Sequence, residues 1–316
     1  MIEGQESVSW DEWVALARAA EEHGLDGLFR SDHYLSVVND FSRGSLDAWT
    51  TLAGLAAVTR TLRLGTLVSP ATFRHPTVLA KSVVTVDHIS GGRVELGIGA
   101  GWHEPEHTTL GFPFAPTRER IDALEEQLEI VSRSWEAGPF SFEGTHFRLI
   151  EADPLPKPLQ QPRPPLIVGG SAGPRSVALA ARWADEYNTV FATPEECRER
   201  RARVAAACEH EGRTPLPFSL MTGLLIGADR DELHARATRL AALRGEELPA
   251  GNPAAYVAAL PTSWIVGTPE QAVAQLRALA DAGVERVMLQ HLLHDDLDAV
   301  ALLGKQIAPA LRSLSY

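Results

Sequence analysis

An imidazole beside a carboxylate can move a proton while the carboxylate holds the ring in place. The string Arg30-Ser31-Asp32-His33-Tyr34 offers such a pair directly after residues 27–30, which read as a strand. A loop-capping interaction would look the same, so position alone leaves both readings open. Glycines mark the second set of candidates. The run Gly97-Ile98-Gly99-Ala100-Gly101-Trp102 would let backbone approach a planar ligand, or would relieve crowding at a barrel rim. Its GxGxG spacing differs from the dinucleotide fingerprint GxGxxG, and no helix opens from its third glycine.

A third candidate is Leu166-Ile167-Val168-Gly169-Gly170-Ser171-Ala172-Gly173-Pro174-Arg175: a strand, a small-residue loop, then a helix whose first turn accepts Pro174. Free amides and the helix dipole make such a start an anion site, with phosphate its natural occupant and Arg175 beside it. A Gly-rich turn without a ligand is the plain alternative. The string His103-Glu104-Pro105-Glu106-His107 matches the zinc-protease pattern HExxH, which needs both imidazoles on one face of a regular helix. Pro105 disfavours helix at Glu104 and argues against placing His103 and His107 one turn apart, so no metal is expected.

Strands and helices must alternate to position these residues at the ends of staves. Helical patterns cover residues 10–23, 47–59, 77–89, 117–136, 176–184, 194–211 and 269–282, and apolar, β-branched runs cover 27–30, 62–68, 93–97, 166–168, 186–191, 218–226 and 286–290. That alternation demands a parallel sheet with helices packed outside it, and the fold class it points to is an α/β TIM-type (β/α)8 barrel. Eight strands emerge only if Met1 to Gly4 supplies the first, so the first strand is either unusually short or continues upstream. The chain of 316 residues is read as one barrel domain, residues 1–316, with irregular insertions around 137–165 and 243–263. The first insertion holds Pro154, Pro156, Pro158, Pro162, Pro164 and Pro165, which suits an extended connection over the barrel surface.

A formal net charge of -12 argues against a phosphate-backbone footprint, so nucleic acid is not an expected partner. No apolar run reaches the roughly 18 to 20 residues that span a bilayer, and the first residues lack a basic region and an apolar signal core. Cys197 and Cys208 both fall in a helical stretch and suit reduced thiols in the cytoplasm.

Taken together, Ser31-Asp32-His33-Tyr34, Leu64-Gly65-Thr66-Leu67-Val68-Ser69-Pro70, Phe73-Arg74-His75-Pro76, the run from Ser90 to Trp102 and Val168-Gly169-Gly170-Ser171 resemble the bacterial luciferase-like monooxygenase superfamily. The chain is most similar to the branch of F420-dependent oxidoreductases, and the likeness extends through Ala180-Ala181-Arg182-Trp183-Ala184-Asp185 and Ile265-Val266-Gly267-Thr268-Pro269.

The resemblance implies a coenzyme, F420 or alternatively FMN, in the C-terminal mouth of the barrel, its phosphate held around Gly169, Gly170 and Ser171. It implies a non-prolyl cis peptide between Leu67 and Val68, bulging against the back of the coenzyme ring. Asp32 and His33 match a coenzyme-contacting pair, with His33 as acid/base, and Ala100, Gly101 and Trp102 would line the pocket. Where sugar-phosphate dehydrogenases of the branch carry an acidic residue, this chain has Trp102, which counts against that substrate class. Glu6 matches an acidic position of some members and is a candidate second proton carrier. The implied reaction is reversible hydride transfer between carbon 5 of a deazaflavin and a small organic substrate, in a homodimer. The FMN alternative is a monooxygenase served by a separate flavin reductase, and a non-catalytic flavin-binding protein would keep the phosphate loop but make no use of His33. Substrate choice would lie with the loops 34–46 and 243–263.

Overall fold

The computed structural model describes residues 1–38 and 40–312; residue 39, in the first of the two loops expected to choose the substrate, and residues 313–316 lie outside that description. The first helix, α1 (Trp10–Glu22), starts with a capping box in which Ser9 and Glu12 satisfy each other's backbone amides, and it buries Trp13, Leu16, Ala17 and Ala20. It stops before Gly24, which takes φ +67° and turns the chain into β1 (Gly27–Arg30).

The βα rhythm then repeats. It runs α2 (Ala48–Val58), β2 (Arg63–Thr66), β3 (Ser69–Pro70), α3 (Pro76–Ser90), β4 (Val94–Gly99), α4 (Glu104–Leu110) and α5 (Thr117–Trp135). An antiparallel hairpin, β5 (Phe140–Glu143) with β6 (Arg148–Ala152), interrupts it. It resumes with β7 (Leu166–Gly169), α6 (Pro174–Trp183), β8 (Glu186–Val190), α7 (Pro194–His210), β9 (Phe218–Ile226) and α8 (Arg230–Leu243). The final stretch holds α9 (Pro253–Ala259), β10 (Ile265–Gly267), α10 (Pro269–Asp281), β11 (Arg286–Gln290), α11 (Leu297–Leu302) and α12 (Ala308–Arg312).

Parallel pairing runs β1-β2-β4-β7-β8-β9, and β9 then pairs with β11 along its first half and with β10 along its second. This is the α/β barrel expected from the alternation. The first stave differs from expectation: Met1 to Gly4 forms no strand, only a bridge from Ile2 to Arg30, with Met1 bonded at the C-terminal end of β11. The single strand expected over 62–68 is broken in two, because the Leu67–Val68 peptide is cis and the chain turns there before Ser69 rejoins β4. The proline-rich stretch is an extended connection with cis bonds at Leu155–Pro156 and Gln161–Pro162, but a hairpin precedes it.

Inside the barrel, Phe29, Leu67, Ile167 and Met288 form an apolar layer. Its foot is ionic: Arg286 reaches Glu95 at 2.7 Å and Glu186 at 2.6 Å, Arg63 pairs with Glu95, and the Arg286 guanidinium lies 5.2 Å from the centre of the Phe29 ring. Such a network replaces the hydration each ion loses on burial.

The glycines of β4 give the neighbouring cis turn its room. A Cβ on Gly97 would collide with the Thr66 carbonyl, and one on Gly99 would sit 2.9 Å from Val68 Cγ2. Gly97→Ala therefore forces backbone against backbone and is expected to cost about 1–3 kcal/mol. A lowered urea midpoint with an unchanged slope is the readout.

Candidate active site

Residues 31–33 leave the C-terminal end of β1, where a barrel presents its reactive groups. Asp32 is buried, and its Oδ2 accepts from Ser69 Oγ at 2.6 Å and from Arg74 Nη1 at 2.5 Å. Ser69 Oγ in turn accepts from Trp49 Nε1 at 3.0 Å, which ties the carboxylate to the chain just past the cis bond. Arg74 also reaches Asp47 Oδ2 at 2.6 Å and the Tyr34 hydroxyl at 2.9 Å. Burial would raise the Asp47 pKa, but the Thr50 amide and Arg74 hold it at about 2. The other oxygen of Asp32, Oδ1, is buried with no partner. Such an orphaned acceptor fits a donor from outside the protein.

His33 and Glu106 form the second half of the site. His33 Nδ1 lies 2.8 Å from Glu106 Oε2, while Glu106 Oε1 accepts the Leu35 amide at 3.0 Å and the Tyr34 amide as well. Burial alone would lower the His33 pKa, and the hydrogen bond and charge of Glu106 more than offset it, so the imidazole is held above its ordinary value. Glu106 is shifted the other way: burial would raise it, and the His33, Tyr34 and Leu35 donors keep it below the usual carboxylate range. With Nδ1 committed, Nε2 is the ring nitrogen left for a ligand.

Glu106 was not among the residues expected here, and the reason lies in the HExxH string. Pro105 does not prevent a helix. It occupies the first turn of α4, where an amide has no intrahelical partner to lose, and Gly111 at φ +76° ends that helix. His103 and His107 do stand one turn apart, contrary to expectation, with His107 Nδ1 2.8 Å from the His103 carbonyl and Nε2 2.7 Å from Thr72 Oγ1. Among the described residues no cluster of three His, Cys, Asp or Glu side chains could hold a metal ion. Glu106 points instead to His33. First-turn proline, two acids and a closing glycine were the available signal for a short helix aimed at the mouth.

Trp102 stands at the rim, 64% exposed, with its ring edge-on to His33 at 5.6 Å between centroids. Gly101 takes φ +78°, and a side chain there would press within 2.9 Å of Thr72 Oγ1. Val68 links the cis turn to the third candidate, since Gly99 and Gly169 both lie against its methyl groups.

In the loop after β7, Gly170 N donates to the Asn188 carbonyl at 2.9 Å and Ala172 N to the Tyr187 hydroxyl at 2.8 Å. Those two amides are committed to the sheet. α6 begins at Gly173 without a side-chain cap, so its first amides are open. Arg175 turns away to Asp122 at 2.5 Å, and is not aimed at the loop. Glu6 is buried and receives Ser36 Oγ on both oxygens at 3.0 Å, the Val37 amide at 3.2 Å and Arg43 at 2.6 Å. The structure thus brings Asp32, His33, Leu67, Val68, Ala100, Gly101 and Trp102 to one mouth, with Gly169 beside Val68.

Residues 2–286 match the model of the luciferase-like monooxygenase family. An F420-dependent glucose-6-phosphate dehydrogenase from Nakamurella multipartita is 29% identical, over 96% of this chain and 93% of that one. An F420-dependent hydroxymycolic acid dehydrogenase from Mycobacterium tuberculosis is also 29% identical, over 99% of this chain and 88% of its own length. Among solved structures, an F420-dependent secondary alcohol dehydrogenase in complex with an F420-acetone adduct superposes with a TM-score of 0.78 at 20% identity, covering 97% of this chain and 96% of that one. At that identity the likeness speaks for the fold.

Glu106→Gln removes the charge that outweighs burial, so the His33 pKa is expected to fall below its value in the unaltered protein. An NMR titration of the His33 ring in both proteins measures this directly. The same coupling fixes its effect on folding. The raised His33 pKa stabilises fully below the ordinary imidazole value and is lost as pH rises through the folded value. The lowered Glu106 pKa stabilises above the ordinary carboxylate value and is lost on acidification, so the pair contributes most between ~4.3 and ~6.5.

Proposed function

This chain belongs to the luciferase-like monooxygenase family, and from that premise we propose that it is an F420-dependent oxidoreductase acting on a small organic substrate. The observation that carries the reading is the buried His33–Glu106 pair at the barrel mouth, beside an Asp32 oxygen that lacks a partner. F420-dependent dehydrogenases aligned over nearly the full chain support the choice of coenzyme.

The residues present fit that group. Asp32 Oδ1 would accept from it, the Leu67–Val68 turn and Gly99 would lie against its ring, and the open amides at the start of α6, beside Gly169 and Ser171, would take its phosphate. Ala100, Gly101 and Trp102 would wall the pocket. When bound, the deazaflavin supplies a hydride donor or acceptor at a ring carbon.

His33 handles the accompanying proton. Glu106 accepts from Nδ1, fixes the ring and favours the imidazolium, so Nε2–H is presented to a substrate oxygen. That state suits reduction of a carbonyl, and oxidation of an alcohol would require His33 to be neutral first. We assign Glu6 a positioning role, because three donors already surround it and its Arg43 partner crosses to the Leu243 carbonyl at 2.6 Å. We place the protein in the cytoplasm as a homodimer. Two free, buried cysteines suit a reducing compartment, and light scattering of the purified protein tests the stoichiometry.

Two measurements test the function. Titration with F420 should perturb its absorbance and saturate, and FMN should not compete at similar concentration. Saturable FMN binding with no F420 signal points instead to the flavin-dependent monooxygenase with a partner reductase. His33→Ala should retain coenzyme binding and lose about 10²–10⁴-fold in turnover. Full turnover in that variant removes His33 from the mechanism.

A further inference from the structure

The chain segments that follow β1, α8 and β11 line a cavity of about 170 Å³ beside the mouth. Its wall is apolar where Val37, Leu243, Trp264 and Leu292 meet. Trp264 is held from behind, because it belongs to a separate apolar cluster with Leu225, Leu240 and Tyr256, and a Cβ on Gly223 would collide with its indole. Gly223 stands opposite Gln290, where the pairing of β9 with β11 ends, so the indole covers the C-terminal ends of both strands. Two links tie the cavity to the His33–Glu106 pair. Val37 lies four residues beyond His33, on the loop that Glu106 holds by the amides of Tyr34 and Leu35. Glu3, on the cavity wall, is close enough for its charge to add to those that raise the His33 pKa.

The charges on this wall are already committed. Arg43 gives Nη1 to Glu6 at 2.6 Å, Nε to Asp40 at 3.0 Å and Nη2 to the Leu243 carbonyl at 2.6 Å. Arg244 pairs with Glu246 at 2.8 Å, its guanidinium 5.6 Å from the centre of the Trp264 ring. His294 lies 3.3 Å from Glu12, and burial lowers the His291 pKa to about 4, which keeps that ring neutral. Glu3 takes its hydrogen bonds from neutral groups, the side-chain amides of Gln5 at 2.7 Å and Gln290 at 2.5 Å. An anion entering here would have to break an existing ion pair and face the Glu3 carboxylate. The rim outside is apolar too: Val38, Phe41 and Leu46 after β1, Trp102 after β4 and Phe191 after β8 are large apolar side chains left exposed at one end of the barrel.

We propose that the substrate is an uncharged carbonyl compound, or the matching alcohol, whose apolar arm lies in this cavity against Trp264 while its oxygen faces His33. At roughly 30 Å³ for each water-sized group, the space holds an arm of about five carbons. Reduction places a hydride from the reduced deazaflavin on the carbonyl carbon and the His33 proton on its oxygen, leaving the alcohol and the oxidised coenzyme. The proposal rests on the oxidoreductase reading above and narrows it, setting aside phosphorylated sugars and carboxylic acids as substrates. Trp264 and Val37 set the length of arm that fits.

Calorimetry on the F420-loaded protein with straight-chain methyl ketones, from acetone upward, is the test. Affinity should rise about fourfold for each added methylene and level off once the arm reaches about five carbons. Hexanoate and glucose 6-phosphate should bind about tenfold more weakly than 2-heptanone. Val37→Trp, which fills the cavity from a half-buried position, should bring the plateau forward by about two carbons. The same series without F420 separates this proposal from the coenzyme assignment: a protein that refuses F420 yet shows the rise and plateau keeps the apolar arm and loses that coenzyme. Affinity that is indifferent to arm length, tighter binding of either anion, or a plateau that Val37→Trp leaves in place overturns the proposal.

Discussion

A carboxylate with no water around it has to find its hydrogen bonds in the protein, and Glu106 finds three on one short stretch of chain: the His33 ring and the amides of Tyr34 and Leu35. Leaving that charge unpaired would cost several kcal/mol, so the loop after β1 must close onto α4 for the fold to be tolerated at all. The His33 imidazole inherits its place from this closure. Asp32, on the same loop, is held from the opposite side by Ser69 and Arg74, and Arg74 is held in turn by Asp47 and Tyr34. Two elements distant in the chain therefore hold adjacent residues, and neither can shift without exposing a buried ion.

The same economy runs through the barrel. Apolar side chains fill its middle, and charges are confined to the two ends, where partners satisfy them. Around the cis turn the packing is too close for any β-carbon on Gly97 or Gly99, which explains why glycines recur at that spacing without a nucleotide fingerprint. Arg30 is wholly buried against Trp13, 4.9 Å from its ring, and burial lowers its pKa to about 10. Its bonds to the carbonyls of Ser31 and Leu46 clamp the base of the loop after β1.

Strand and helix alternation was legible because period and composition are local, and so were the caps at Ser9 and Gly24 and the position of Asp32 and His33 beyond a stave. The cis bond came from likeness to a family. What escaped the sequence were partnerships between distant residues. Glu106 lies far along the chain from His33, and the HExxH string drew attention to the wrong property of that segment, since proline in a first turn starts a helix as readily as it breaks one further in. Arg74 was visible inside a motif but carried no mark of its bond to Asp32. Arg175 looked suited to an anion by position, and its side chain turned to the neighbouring helix, a choice set by Asp122 and invisible before the helices pack.

The ionic foot of the barrel has a kinetic meaning. Arg286, braced between Glu95 and Glu186 beneath Phe29, is a stopper: nothing approaches His33 along the barrel axis from below without first separating those ions. A ligand for His33 is left with the upper doorway, where Trp102 stands 64% exposed at the rim with its ring edge-on to the imidazole.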